Sequence, residues 1–390
     1  MPLEGIKVLD LSRLLPGAYC TQLLCAFGAE VWKLEPPEGD PARRWGPRVG
    51  GFPAYFYGLN RGKKSRVLDL KREGAREVMG RLLRRVDVLL EGFRPGVAER
   101  LGVGYEEASR INSRLIYCSL SGYGQDGPLR ERPGHDINYI ALGGLLDLTG
   151  EEGGRPVIPG GQIADITGGL LALVGILLAL RRRERTGEGE YIDVAMLDGV
   201  LSWLPLYLGD YEAGVLPERG KMILNGGYAC YNVYETEDGG YVALGALEPH
   251  FWERFCRATG KEEMIPFQYD PSKQGELIEE LRRVFMERGR DEWAEFLTSR
   301  DVPCEPVLSF EEVLSHPQVL ARRMIREGEM EGARKVRWIK APIRFSSIEE
   351  RDYPSPPSLG EHTEEILREV GFDPGEIRRL REEGVLGGRR

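Results

Sequence analysis

The sequence predicts an α/β fold whose core is a parallel, doubly wound sheet. Three observations carry this: short apolar runs alternate with helical patterns over the first 120 residues, glycines punctuate the joins, and the pattern changes character after an apolar helix near residue 180. Lys7-Val8-Leu9-Asp10-Leu11 is the first strand candidate; Pro16 and Gly17 follow, then a helical pattern from Tyr19 to Phe27. Gly28 stops that helix, and Glu30-Val31-Trp32-Lys33-Leu34 is the second strand candidate. Arg66 to Leu70 is the third, Val86 to Leu90 the fourth after a helix over Glu73 to Arg85, and Leu115 to Leu120 the fifth after a helix over Tyr105 to Asn112. In such sheets ligands sit beyond the carboxyl ends of the strands. A helix over Ile166 to Arg183 ends this regime, and Tyr191 to Tyr211 reads as one more strand and helix.

Gly214 to Gly227 is a connector, and from Tyr228 to Leu244 apolar and polar residues alternate around Glu237-Asp238-Gly239-Gly240, a hairpin turn. Helical segments follow at Pro249 to Thr259, Gly275 to Arg288 and Asp291 to Arg300. The expected organisation is a large domain over 1–213, a smaller α+β domain over 228–330 and a charged, amphipathic C-terminal segment over 331–390.

A chain of 390 residues holds two or three folding units at about 150 residues each, and 41% hydrophobic residues supply their cores. The net charge of −9 argues against general nucleic-acid binding, because no uniform basic field holds phosphates. Met1 to Asp10 shows no charged-then-apolar leader. The longest apolar run, Leu170 to Leu180, falls well short of the roughly 20 residues a bilayer requires, so no membrane partner is expected. Six cysteines at 20, 25, 118, 230, 256 and 304 form no Cys-x-x-Cys pair and have no His at metal spacing; they read as reduced thiols of a cytoplasmic protein.

Neither a Gly-x-Gly-x-x-Gly after a strand nor a Walker loop is present, which disfavours dinucleotide and nucleoside-triphosphate chemistry. Arginines instead cluster after strand ends: Arg43 and Arg44, Arg94 within Glu91-Gly92-Phe93-Arg94-Pro95-Gly96, and Arg100. Arg beside a glycine turn can fork onto phosphate, although a lone Arg is more often a solvated charge. Two segments could carry proton chemistry. In Gly134-His135-Asp136-Ile137-Asn138-Tyr139, one of only four histidines stands before an apolar helix, where it is either a base or a helix cap. In Gly160-Gly161-Gln162-Ile163-Ala164-Asp165, two glycines permitting close backbone approach precede a carboxylate that is either an N-cap or a reacting group beside free helix amides.

Together with Leu3 to Asp10, Gly122 to Pro128 and Leu359-Gly360-Glu361-His362-Thr363, these segments make the chain resemble the family III CoA-transferase superfamily, and within it the 2-methylacyl-CoA racemases. The resemblance spans essentially the whole length. It implies a Rossmann-like large domain, a smaller α+β domain, a C-terminal return to the large domain, and an interlocked homodimer. It implies an acyl-CoA substrate with no further cofactor. CoA would contact Arg43, Leu68, Asp69, Leu70, Lys71, Gly92, Phe93, Arg94 and Arg100, and the substrate would also meet Gly134, Asp136, Ile137, Asn138 and Tyr139. His135 and Asp165 would be the catalytic acid and base, with Glu248, in Leu247-Glu248-Pro249-His250-Phe251, reaching His135 across the subunit boundary. His250 stands where the family often has Gln, which adds a second imidazole. The transferases share the aspartate and use it as a nucleophile, so that chemistry is the alternative.

Overall fold

Six strands pair in parallel in the computed structural model, which describes residues 1–330, 332–348, 351–353 and 355–387. They are β1 (Lys7–Asp10), β2 (Glu30–Glu35), β3 (Lys64–Val67), β4 (Val88–Glu91), β5 (Ile116–Ser121) and β6 (Glu190–Ala195). Their order is β3-β2-β1-β4-β5-β6. The chain winds outward from β1 to β3, then returns to the other side of β1 at β4, so the winding reverses between β1 and β4. In open parallel sheets ligands bind beyond the carboxyl ends of the strands at such a switch point. Strands buried on both faces are mostly apolar, and every residue of β4 and β5 is buried, including the polar Glu91, Ser119 and Ser121.

The fold agrees with the parallel α/β reading and moves some boundaries. The third strand lies at Lys64–Val67 rather than 66–70, because the Leu68 amide makes the last sheet bond, to Glu35, and the chain then turns. The Asp69 amide bonds to the Val385 carbonyl, and the Asp69 carboxylate accepts the Lys71 amide at 3.1 Å. The first helix, α1 (Leu14–Ala26), starts five residues earlier than the pattern suggests. Pro16 sits in its first turn, where a missing N–H leaves no bond unmade. Leu14 takes a left-handed φ of 60° and its amide donates to Asp40 Oδ1 at 3.3 Å, so the turn after β1 is held in a strained form by a buried carboxylate.

The chain divides into two compact units, one of residues 1–143, 161–202 and 318–390, the other of 144–160 and 203–317. In the first, Leu9, Trp32, Val78, Leu82, Leu89 and Tyr117 share one core with Ile366, Leu367, Ile377 and Leu380, from helices Thr363–Glu369 and Pro374–Glu382, and with Phe372 between them. In the second, the antiparallel strands Tyr231–Glu235, Tyr241–Gly245 and Cys304–Pro306 carry helices Pro249–Thr259, Gln274–Phe285 and Arg290–Thr298. The hairpin turns at Gly239, whose φ of 73° suits glycine alone, and its core gathers Tyr234, Trp252, Phe255, Phe285 and Trp293. All six cysteines are buried and unpaired.

The longest helix near the sheet, α3 (Ile163–Thr186), is long and apolar enough by length and composition to cross a membrane, but half of its apolar window is buried inside the protein, as in a core helix. It reaches α1 by glycine: a Cβ on Gly169 would lie 2.6 Å from the Pro16 carbonyl oxygen. Backbone cannot yield as a flexible side chain does, so Gly169→Ala is expected to destabilise the fold by about 1–3 kcal/mol. A lowered denaturant midpoint measures this; an unchanged midpoint means the two helices separate freely.

Candidate active site

The first turn of α3 carries Asp165, and its placement depends on small residues behind it. Gly168 lies where a Cβ would come within 2.7 Å of Met196, and Gly169 rests on α1 as described. Gly160 and Gly161, expected to permit a close backbone approach, have nothing within 4 Å of where a Cβ would stand. The glycines after Asp165 are the ones packed against neighbouring elements, while Gly160 and Gly161 stand beside open space.

Facing this turn is the start of a short helix, α2 (Asp136–Leu142). The Asp165 amide donates to Asp136 Oδ1 at 3.0 Å, tying the two helix starts together. His135 is therefore one residue from the group that bonds to Asp165, at the junction itself. Its amide donates to Asn138 Oδ1 at 2.9 Å, and its carbonyl accepts the Asn138 amide at 2.8 Å, so the backbone of His135 is fixed while its side chain is exposed. Asp136 thus takes one of the amides expected to receive charge from a ligand. The Gln162 side chain does not cap α3, which leaves the amides of Ile163 and Ala164 as the remaining donors of that turn.

Burial, and secondarily the Asp136 charge, raise the Asp165 carboxyl to about 7. Among the described residues nothing donates a hydrogen bond to that carboxylate, which is why burial is not offset. Tyr139, on the buried side of α2, lies edge-on to Tyr123 with ring centroids 5.1 Å apart. Gly122 and Gly134 make room for it: a Cβ on either would come within 2.7 Å of its ring. Burial lifts the Tyr139 phenol to about 12; Tyr123, Asp165 and Asp136 push the same way and Arg94 opposes them. Arg94 is thereby within electrostatic reach of Tyr139.

The other expected contacts are distributed along the switch-point side of the sheet. Gly92, Phe93 and Arg94 leave the end of β4; Gly92 and Arg94 are exposed, Phe93 is half-buried, and the Arg13 guanidinium stands 5.7 Å from its ring. Arg100 is exposed at the end of the next turn, Val97–Arg100. Leu68 is buried, Asp69 and Leu70 are half-buried, and Lys71 is exposed. Ile137 and Asn138 are exposed on α2. Arg43 differs from the expectation of an open phosphate clamp. Its guanidinium forks onto Glu35 at 2.6 and 2.7 Å, bonds to the Pro357 carbonyl at 3.1 Å and lies 3.6 Å from the centre of the Phe56 ring. A ligand contact from Arg43 must compete with a bidentate ion pair. Glu248 caps Pro249–Thr259 with its carbonyl, accepting the Phe251 amide at 2.9 Å, and its side chain is exposed; it belongs to the second unit, whereas His135 and Asp165 belong to the first.

One residue of the Arg94 motif is given no role by the sequence. Glu91 ends β4, is 3% exposed, and is raised by burial to about 7. Its position was available as a signal, since an acidic residue closing an apolar strand stands where ligands gather.

A family model described as CoA-transferase family III matches residues 3–363. The chain is 38% identical to an alpha-methylacyl-CoA racemase of Homo sapiens, covering 99% of this chain and 98% of the relative. It is 34% identical to a succinyl-CoA:glutarate CoA-transferase of the same species, covering 99% and 90%. Among solved structures, a CAIB/BAIF family protein from Brucella suis superposes with a TM-score of 0.83 at 33% identity, covering 95% of this chain and 99% of that one.

Proposed function

Because the chain belongs to CoA-transferase family III, we propose that it inverts the alpha carbon of 2-methylacyl-CoA thioesters, with His135 and Asp165 as the two proton carriers. The observation that carries this reading is the junction of the two helix starts. Asp136 bonds to the Asp165 amide, and burial holds the Asp165 carboxyl near 7; we take His135, the residue before Asp136, as its partner in proton transfer. A carboxyl of that kind is protonated about as often as not at neutral pH, so it can give or take a proton.

The proton alpha to a thioester is a weak acid, and its removal leaves an enolate. In one direction the base takes that proton while the C–H electron pair passes into the enolate. The acid on the other face then returns a proton to the same carbon, and the centre inverts. In the reverse direction the two residues exchange roles. Proton transfer of this kind supplies about 10²–10⁴-fold in rate. The remainder falls to donors near the thioester oxygen, for which the Ile163 and Ala164 amides are candidates. CoA is held by the Gly92-Phe93-Arg94 turn, Arg100 and the Leu68 to Lys71 segment, and no further cofactor takes part. Leu170, Val174, Leu177 and Leu178 leave an exposed apolar stripe on α3, which supports burial against a second copy in a homodimer; in that dimer we assign Glu248 of one copy to His135 of the other.

The similarity to a succinyl-CoA:glutarate CoA-transferase supports a second reading, in which Asp165 attacks the thioester and forms a mixed anhydride. One experiment separates the two. The protein is incubated with a single epimer of a 2-methylacyl-CoA in heavy water, and the alpha position is followed by mass and chirality. Deuterium uptake with loss of configuration is the expected result. No exchange, with passage of CoA to an added free acid, overturns the racemase reading in favour of the transferase.

A further inference from the structure

The switch point between β1 and β4 is occupied by a buried carboxylate to which the proposed chemistry assigns no part. Both oxygens of Glu91 are engaged. Oε2 accepts the Phe93 amide at 2.6 Å, and Oε1 accepts the hydroxyl of Ser119, its register partner on β5. Ser119 Oγ in turn accepts the Tyr191 hydroxyl at 3.3 Å. Among the described residues no cation pairs with Glu91; the charges that act on it most are the carboxylates of Glu99 and Asp193. A buried carboxylate without a counter-ion is costly, and neutral side chains could fill the end of a strand at less cost.

The bond to Phe93 shows what this group does. The residues after β4 form the exposed turn of Gly92, Phe93 and Arg94, closed by the Val97 amide on the Arg94 carbonyl and by Gly96 at a φ of 78°. At one end of the turn the Phe93 ring lies 5.7 Å from the Arg13 guanidinium, and at the other the Arg94 charge acts on the Tyr139 phenol. Apart from its closing bond, among the described residues the hydrogen bond tying this turn to the sheet is that of the Phe93 amide, while the Phe93 ring packs against the core.

We infer that Glu91 is a positioning residue: by gripping the Phe93 amide from beneath the sheet edge, it fixes the turn on which Arg94 and the Phe93 backbone meet the CoA moiety. The inference rests on the assignment of that turn to CoA made above. The same geometry predicts which substitutions are tolerated. A Gln can accept the Phe93 amide with its oxygen and donate its amide to Ser119 Oγ, whereas a Leu of similar size can do neither.

The test measures the Kd of free CoA by calorimetry and the kinetic constants for a 2-methylacyl-CoA, on the full chain. Glu91→Leu is expected to weaken CoA binding about tenfold, the loss appearing in KM more than in kcat. Glu91→Gln is expected to restore most of the affinity. Ser119→Ala, a smaller change that decides the matter if the Leu variant does not fold, should weaken CoA binding about two- to threefold and speed hydrogen exchange in the peptide containing residues 92–94. Unchanged CoA affinity in a folded Glu91→Leu or in Ser119→Ala, or a fall confined to kcat, overturns the inference. A wild-type protein that binds CoA without racemising overturns the function proposed above while the Kd comparison still decides the role of Glu91; one that binds no CoA overturns both.

Discussion

Asp165→Asn and His135→Ala should each lower racemisation by about 10²–10⁴-fold, yet each should still exchange the alpha proton of one epimer with heavy water. With two carriers on opposite faces, removal of one leaves the other able to take a proton from its own face and return deuterium there. That substrate gains mass and keeps its configuration, and the two variants should act on opposite epimers. CoA affinity should change little in either. Mass and chiral analysis of each epimer with each variant reads this directly. Loss of all exchange for both epimers in both variants would sink the two-face arrangement, and loss of CoA binding would mark the two residues as structural. A transferase would behave differently again, because Asp165→Asn would remove its nucleophile while His135→Ala left CoA passage intact.

Asp165→Asn should also make the fold more stable, and the gain should depend on pH. The carboxyl rises in the folded protein from its ordinary 3.8 to about 7, chiefly through burial. Below 3.8 it is protonated whether the chain is folded or not, and the substitution has no electrostatic effect. Between 3.8 and about 7 the unfolded chain has lost this proton and the folded one has kept it, so wild-type stability falls as pH rises. Above 7 the ionised carboxylate is carried at full penalty. An amide removes that penalty, so the variant should gain about 2–4 kcal/mol above pH 7, after allowance for partial exposure of the site. Denaturant unfolding of both proteins at pH 4 and pH 8 measures it. A gain of equal size at both values, or none at either, would mean that burial does not set the proton affinity of Asp165. Lost activity with gained stability would identify a group kept for its chemistry.

Much of this was legible before any coordinates. The alternation of apolar runs with helical patterns predicts a parallel sheet because strands buried on both faces must be continuous in Val, Leu and Ile, and helices must cover them. The central strands β1 and β4 come close to that pattern, whereas the third strand, Lys64-Ser65-Arg66-Val67, does not, and its end is set by a bond from Asp69 to Val385, over 300 residues away. Such a contact leaves no local trace. His135 and Asp165 were identifiable because glycine-led polar stretches before apolar helices stand out from a background of core and surface.

Local order in the sequence therefore determined the elements, their parallel pairing and the two segments that carry the proposed chemistry, since periodicity and turn residues act over a few positions. Tertiary structure alone decided that Asp136 bonds to the Asp165 amide, that Gly168 and Gly169 let α3 pack closely on its neighbours, that Arg43 is committed to Glu35, and that Glu91 lies buried with no cation paired to it among the described residues. Each of these depends on which distant groups share a desolvated space. Desolvation and proton affinity are set by everything within several ångströms, whatever its place along the chain.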